Sequence, residues 1–231
     1  MSIAAAPVAT RASAIVAADA TRAIVRALGP TRYVECWSSM RAFTDARDER
    51  TPDELWLTEH EPVFTLGLAG RAAHVLDAGA TPVVKVDRGG QVTYHGPGQL
   101  VVYTLLDLRR RRLGVRALVR TLEAAVVDCL AVEGVSAYGK PSAPGVYVVV
   151  DGRESKIAAL GLKVRNGCTY HGVALNVAMD LRPFDGIDPC GYPGLAVTDL
   201  ASLGVRSSVA AAGAALARHV MSRLDDPVRL D

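Results

Sequence analysis

Two dipeptides constrain this chain more than any other feature: Asp151-Gly152 and Asn166-Gly167. Asp-Gly and Asn-Gly are the preferred two-residue hairpin loops, because both central positions need positive φ. Each sits between apolar runs: Val146–Val150, Glu154–Val164 and Cys168–Met179. The spacing therefore predicts three antiparallel strands in a meander. It also fixes a register, because hairpin loop length sets the pairing. Arg165 should pair with Cys168, Gly161 with Gly172, and Tyr147 with Lys156. Two facing glycines leave bare backbone, suited to a local bulge or twist or to a ligand lying against main chain. Lys156 is expected to open an apolar stripe with Ala158, Leu160, Leu162 and Val164, where a lysine is unusual unless it snorkels at an edge.

The rest of the chain mixes helix and strand patterns. Apolar residues at 115, 118, 119, 122, 126 and 130 mark a helix over Val115–Glu133. Glu35 to Arg50 reads as helical, and Ser207 should cap a C-terminal helix ending near Leu224. Thr51-Pro52-Asp53-Glu54 resembles a capping box, but Leu55–Thr58 reads better as a strand. Val83–Asp87, Gln91–Tyr94 and Gln99–Leu106 are further strand candidates. An Ala-rich leader and a first helix are expected over 1–30. The pattern is α+β, a mixed, mostly antiparallel sheet with packed helices. Length, no repeat and no linker favour one domain over 1–231.

The formal charge of +2 argues against nucleic acid. Arg109–Arg112 is the one dense basic run, a solvated strand end or a dock for an acidic partner. No run of about 18 apolar residues exists, so no membrane span is expected. Cys36, Cys129, Cys168 and Cys190 show no paired spacing and the five histidines are scattered, which argues against a metal site. Reduced thiols and a cytoplasmic location follow as the default.

Cys190 stands apart from the other thiols. It lies in "DPCGYPG", a rigid loop flanked by Pro189 and Pro193, and loops carry functional groups more often than cores do. Cys36 and Cys129 suit packing, and Cys168, at the start of a strand, suits packing or exposure. A thiol near pKa 8.5 is only about 3% thiolate at pH 7, so a nucleophile needs a nearby cation or base. Lys156, His95 and His171 are the candidates. Cys168 with His171 is a weak pair, since an odd offset puts them on opposite strand faces.

A glycine-dense run precedes the Gln99 strand: "RGGQVTYHGPGQLVVY", Arg88–Tyr103. Together with "ESKIAALGLKVRNGCTYHGVALNV" (Glu154–Val177) and "DPCGYPG" (Asp188–Gly194), in that order, it resembles the lipoyl(octanoyl) transferase family, over roughly Tyr33 to Leu203. The resemblance implies a fold similar to the catalytic domain of biotin and lipoate ligases. It implies transfer of octanoyl from octanoyl-acyl carrier protein to a lysine of apo lipoyl domains, as in 2-oxo-acid dehydrogenase E2 subunits or the glycine cleavage H protein. Cys190 would carry the acyl group as a thioester and Lys156 would activate it. The acyl-binding segments map onto Arg88, Gly89, Gly90, Gln91, Val92, Thr93, Tyr94 and His95, onto Ala159, Leu160 and Gly161, and onto Gly172, Val173 and Ala174. No metal or organic cofactor is implied. Burying eight methylene-sized groups would supply about 6 kcal/mol before binding costs. Three rivals stand beside this reading. They are an ATP-dependent ligase, for which no glycine-rich basic phosphate loop exists, a non-catalytic acyl-binding protein, and a cysteine hydrolase.

Overall fold

In the computed structural model, residues 23–189 and 194–227 are described. The strands are β1 (Ile24–Thr31), β2 (Glu54–His60), β3 (Val63–Leu66), β4 (Val83–Lys85), β5 (Val92–His95), β6 (Gln99–Leu105), β7 (Ala137–Gly139), β8 (Val146–Val150), β9 (Arg153–Arg165), β10 (Cys168–Asn176) and β11 (Ala196–Val197). The helices are α1 (Tyr33–Ala46), α2 (Leu108–Arg111), α3 (Val115–Val132) and α4 (Val209–Asp225). The main sheet runs β1-β2-β6-β10-β9-β8-β7, with β11 added alongside β9, and a small sheet runs β4-β3-β5. β1 with β2, β11 with β9 and β4 with β3 are parallel; the other pairs are antiparallel.

The meander forms as the turns dictate. Arg165 pairs with Cys168 and Gly161 with Gly172, and Tyr147 pairs with Lys156. Asp151 and Asn166 take the positive φ that such loops require. β10, predicted to run to Met179, ends at Asn176.

Three local expectations are corrected, and one of two open readings, at Thr51–Glu54, is settled. Ile24–Thr31, expected in a first helix, is a strand, because it completes the edge of the sheet along β2; residues 1–22 lie outside the described ones. The capping-box tetrapeptide starts no helix. Glu54 enters β2 directly, and Asp53 binds three arginines: Arg47, Arg110 and Arg111. Those arginines also settle the basic run. Arg109–Arg111 lie in α2, whose first turn is capped by the Asp107 carboxylate, accepting from the Arg109 and Arg110 amides at 3.0 and 3.1 Å. Burial pushes Asp53 up, but the Arg111 charge and the hydrogen bonds outweigh it, so its pKa falls. Finally, Ser208 rather than Ser207 caps α4, accepting from the Ala211 amide at 3.1 Å.

The two faces of the main sheet bury different things. One face carries Leu100, Val102, Val173 and Leu175 against Leu118, Leu122 and Val126 of α3 and Leu216 and Val220 of α4, all buried. The other carries Val101, Tyr103, Tyr170 and Ala174 against Cys36 and Met40 of α1. Cys129 is also buried, within the first core. Burial pushes the Cys36 thiol up to about 12, as suits a packing residue.

Candidate active site

Two departures from regular strand geometry build the site, and both occur in the meander. The first is in β9. Tyr147 pairs with Lys156, but Val146 pairs with Ala158, so Ile157 is an extra residue on β9. A bulge of this kind re-aims the flanking side chains. Ile157 and Ala158 both join the aliphatic core. Lys156 therefore does not open the apolar stripe of Ala158, Leu160, Leu162 and Val164. It turns to the opposite side, where it lies 5.2 Å from the Tyr147 ring centroid. Its Nζ donates to the Pro144 carbonyl at 3.0 Å. A side chain at Gly145, whose φ is +142°, would run into the end of Lys156.

The second departure is His171, at φ +62°. A regular strand would point Tyr170 and His171 to opposite faces. Here both reach Asp87: the Tyr170 hydroxyl donates to Oδ2 and His171 Nε2 donates to Oδ1 at 3.1 Å. The left-handed residue is what brings them to one side. Trp37 Nε1 also donates to Asp87, at 2.9 Å. Burial pushes Asp87 up, yet these hydrogen bonds hold it far below the usual carboxylate range. Burial lowers His171 against the effect of Asp87. Cys168 is buried, and no described residue partners His171 Nδ1. The Cys168–His171 pair does not form.

A cavity lies on this side of the sheet. It is walled by Arg88, Gly90, Gln91, Val92, Thr93 and His95 from one segment, by Ala159, Leu160 and Gly161 of β9, and by His171, Gly172, Val173 and Ala174 of β10. Tyr33, Val101 and Tyr103 complete it. Twelve of the fourteen residues proposed to hold an acyl chain thus share one cavity. Gly89 and Tyr94 are not on its wall. Gly89 donates its amide to the Leu162 carbonyl at 2.8 Å, and Tyr94 packs with Phe64 and Phe184.

The glycine density has a physical cause here: main chain crosses main chain. A Cβ on Gly161 would lie 2.9 Å from the Gly89 carbonyl oxygen, and one on Gly172 would strike the Val102 carbonyl of β6. Arg88 clips the crossing in place, donating to the Thr65 carbonyl at 2.7 Å and the Gln91 carbonyl at 2.8 Å.

Beneath the cavity sits a buried cluster that the sequence did not single out: Tyr33, His60 and Tyr103, with His95. His95 stacks on Tyr33 at 5.5 Å, and His60 contacts both rings edge-on. The Thr31 carbonyl can only accept, so His60 Nδ1 donates to it, at 3.0 Å, and Nε2 accepts from the Tyr103 hydroxyl at 2.6 Å. His95 Nδ1 donates to Gln99 Oε1 at 2.7 Å. Burial, aided for His95 by the neighbouring His60, drops His60 to about 4 and His95 to about 3. Both are neutral rings at pH 7. His95 is already a candidate from the sequence; for His60 and Tyr103 the only advance signal is alternation, with Trp56, Thr58 and His60 on one side of β2 and Val101 and Tyr103 on one side of β6.

The residues that follow the Asp188–Gly194 motif reach Lys156. Val197 of β11 pairs with Lys156, and the Thr198 amide donates to the Lys156 carbonyl at 3.0 Å. The Asp188 amide donates to the His74 carbonyl at 2.9 Å. Cys190 itself lies outside the described residues. Among the described residues, no group of three or more His, Cys, Asp and Glu is arranged to hold a metal ion, and no helix is long and apolar enough to cross a membrane.

Known proteins match this architecture. Residues 32–221 fit the model of the lipoyl protein ligase A/B catalytic domain. The octanoyltransferase of Methylococcus capsulatus is 58% identical over 203 residues, covering 88% of this chain and 96% of that one. That of Burkholderia pseudomallei is 53% identical over 225 residues, covering 95% and 92%. A lipoate-protein ligase A solved with ATP shares the fold at TM-score 0.71 and 18% identity, over 88% of this chain and 86% of that one. A biotin protein ligase from Aquifex aeolicus shares it more loosely, at TM-score 0.54 and 12% identity, over 87% and 70%. The chain belongs to the lipoyl protein ligase A/B catalytic domain family, among its octanoyltransferases.

Proposed function

We propose that the protein transfers octanoyl from octanoyl-acyl carrier protein to a lysine of apo lipoyl domains, through a thioester on Cys190. One observation carries the reading. The Ile157 bulge turns Lys156 to the side of the sheet that carries the cavity, and β11, just after the Cys190 motif, pairs with Lys156 through Val197. A cation or base and a nucleophile loop would then stand beyond the Ala159 end of the cavity wall.

The chemistry is two-step acyl transfer. Lys156 promotes the Cys190 thiolate, which attacks the carrier thioester carbonyl. A Cys190–acyl bond forms, and the carrier sulfur leaves and takes a proton. The acceptor lysine amine then attacks the acyl-enzyme. An amide forms, the Cys190 sulfur leaves, and the amine's proton passes to Lys156. Free lysine amine is scarce at neutral pH, about 4 in 10,000 at a pKa near 10.4, so a base at this step is needed. Because the thioester is already activated, the reaction needs no ATP. The buried neutral rings of His60 and His95 and the main-chain clip on Arg88 give the acyl chain a preformed, rigid bed.

The test is incubation with octanoyl-carrier protein and an apo lipoyl domain, without ATP, read by intact mass. The expected outcome is an octanoylated lipoyl domain and an acyl-enzyme lost in Cys190→Ser. Release of free octanoate would make the protein a hydrolase. A strict requirement for ATP would make it a ligase.

A further inference from the structure

One end of the cavity wall is formed by His171 together with the Arg88–Gly89 crossing. On β9 the wall runs from Ala159 to Gly161 and goes no further; on β10 it runs from Ala174 back to His171. His171 pairs with Leu162, three positions along β9 from Ala159, where the cavity wall begins, or about 10 Å at the usual rise of a strand. The Arg88–Gly89 crossing closes over the same point, with the Gly89 amide on the Leu162 carbonyl at 2.8 Å.

His171 bears two costs at once. Its φ is +62°, in the left-handed region, in the middle of a strand. Its Nδ1 is buried, and no described residue offers it a hydrogen bond. A strand residue under no other demand would take neither. Strained backbone and unsatisfied buried groups collect where a position is set by function. The ring is also fixed from several sides: Nε2 donates to Asp87, and the rings of Tyr170 and Tyr103 lie 5.1 and 6.2 Å away. Asp87 is itself held by Trp37 and Tyr170. The result is a rigid stop.

We propose that His171 is the length gauge of the acyl site, a specificity-determining residue that ends the cavity opposite Lys156 and sets how long a straight acyl chain can be. The inference rests on the acyl-transfer reading above. Asp87, Tyr170 and Trp37 are positioning residues that act through His171.

The experiment measures kcat/KM for carrier thioesters of six, eight, ten and twelve carbons, in the wild type, His171→Gly and His171→Asn. Both substitutions accept a left-handed backbone, and melting curves confirm folding. The wild type should fall sharply beyond one length, since a chain that meets a rigid wall is excluded. His171→Gly opens the stop. Each further methylene it buries should gain about fourfold, so the ratio of the ten-carbon to the eight-carbon rate should rise at least tenfold. His171→Asn should shift the ratio less, because its shorter side chain only partly clears the end. A wild type that carries eight, ten and twelve carbons equally well overturns the gauge without any variant. So does a folded His171→Gly with an unchanged length ratio. If no acyl chain of any length is transferred, the acyl-transfer reading fails instead.

Discussion

The two faces of the main sheet are built on opposite terms. Under α3 and α4 the sheet buries Leu100, Val102, Val173 and Leu175 among leucines and valines. On the other face, α1 and the cavity cover Tyr103, Tyr170 and Ala174, and nearby lie buried His60, His95, His171 and Arg88. Alternation along β6 and β10 supplies both from the same two strands. Buried polar groups cost free energy unless each finds its partner. The aliphatic face must therefore carry most of the stability, while the polar face carries the site. The lesson is a division of labour within single strands: neighbouring residues answer to different demands.

The sharpest way to break that division is Leu122→Ala, which removes a fully buried side chain of α3 from the aliphatic face. A core truncation of this kind costs about 2–5 kcal/mol. Urea unfolding should show the loss, while the ratio of rates among acyl lengths stays unchanged. A shifted length preference would mean that the two faces are coupled.

The polar face should reveal itself through pH. His60 and His95 titrate near 6.5 when unfolded but near 4 and 3 in the fold, because burial disfavours their charged forms. Between those values the unfolded chain binds more protons, so stability is full above about pH 6.5 and drains away as pH falls towards 4. Each histidine gives a slope of up to about 1.4 kcal/mol per pH unit. Between pH 6 and 5 the pair should remove about 2 kcal/mol, and lowered His171 acts in the same direction. The depressed carboxylates Asp53 and Asp87 add their loss only at lower pH, near the ordinary carboxylate range. Urea midpoints that do not change from pH 6.5 to 4.5 would show these histidines to be solvated.

One substitution made on both faces compares them directly. A Cβ at Gly172 meets the backbone carbonyl of Val102, which cannot move without parting β6 from β10. Gly172→Ala should cost about 1–3 kcal/mol and lower transfer of every acyl length together. A Cβ at Gly213 of α4 meets only Leu100 Cδ1 at 3.2 Å and Leu57 Cδ1 at 3.4 Å. Those are side-chain ends, and alanine gains about 1 kcal/mol of helix propensity over glycine. Gly213→Ala should be neutral or stabilising in thermal melts. If Gly172→Ala were instead benign and cut only long chains, the glycine would serve the ligand and not the strand crossing.

Much of this was legible in advance, for a reason that also sets the limit. Hairpin loops are local chemistry, so Asp151-Gly152 and Asn166-Gly167 gave the meander, the Gly161–Gly172 pair and the Tyr147–Lys156 pair. Long motifs gave twelve residues of one cavity. What escaped was set by tertiary partners. Nothing local to Ile157 announces a bulge, so strand alternation alone puts Lys156 on the wrong side of β9. Nothing local to His171 announces a left-handed φ; Asp87, more than eighty residues away in sequence, accepts its hydrogen bond. Tyr33, His60 and Tyr103 looked like ordinary strand and helix residues, because their cluster exists only once α1, β2 and β6 meet. Arg110 and Arg111 read as surface charge until Asp53 lay beneath them.

The smallest effect tests how the aliphatic face is held in place. α4 covers that face, and its first turn is capped by a single side chain: Ser208 Oγ accepts from the Ala211 amide at 3.1 Å. Ser207, one residue earlier, donates its hydroxyl to the Ser208 carbonyl at 3.3 Å and caps nothing. Sequence pattern favoured Ser207, and a one-residue ambiguity is normal at a helix end. The two are easily told apart. Replacing an N-cap serine by alanine leaves a helix amide without its acceptor and costs about 1 kcal/mol. Ser208→Ala should therefore lower the melting temperature by several degrees, while Ser207→Ala stays within about 0.5 kcal/mol of the parent. Neither should change the acyl length ratio or the pH slope, because both act on the far side of the sheet from His60, His95 and His171. A larger loss from Ser207→Ala would move the start of α4 by one residue. A change in length preference from either would show that α4 positions the polar face through the sheet.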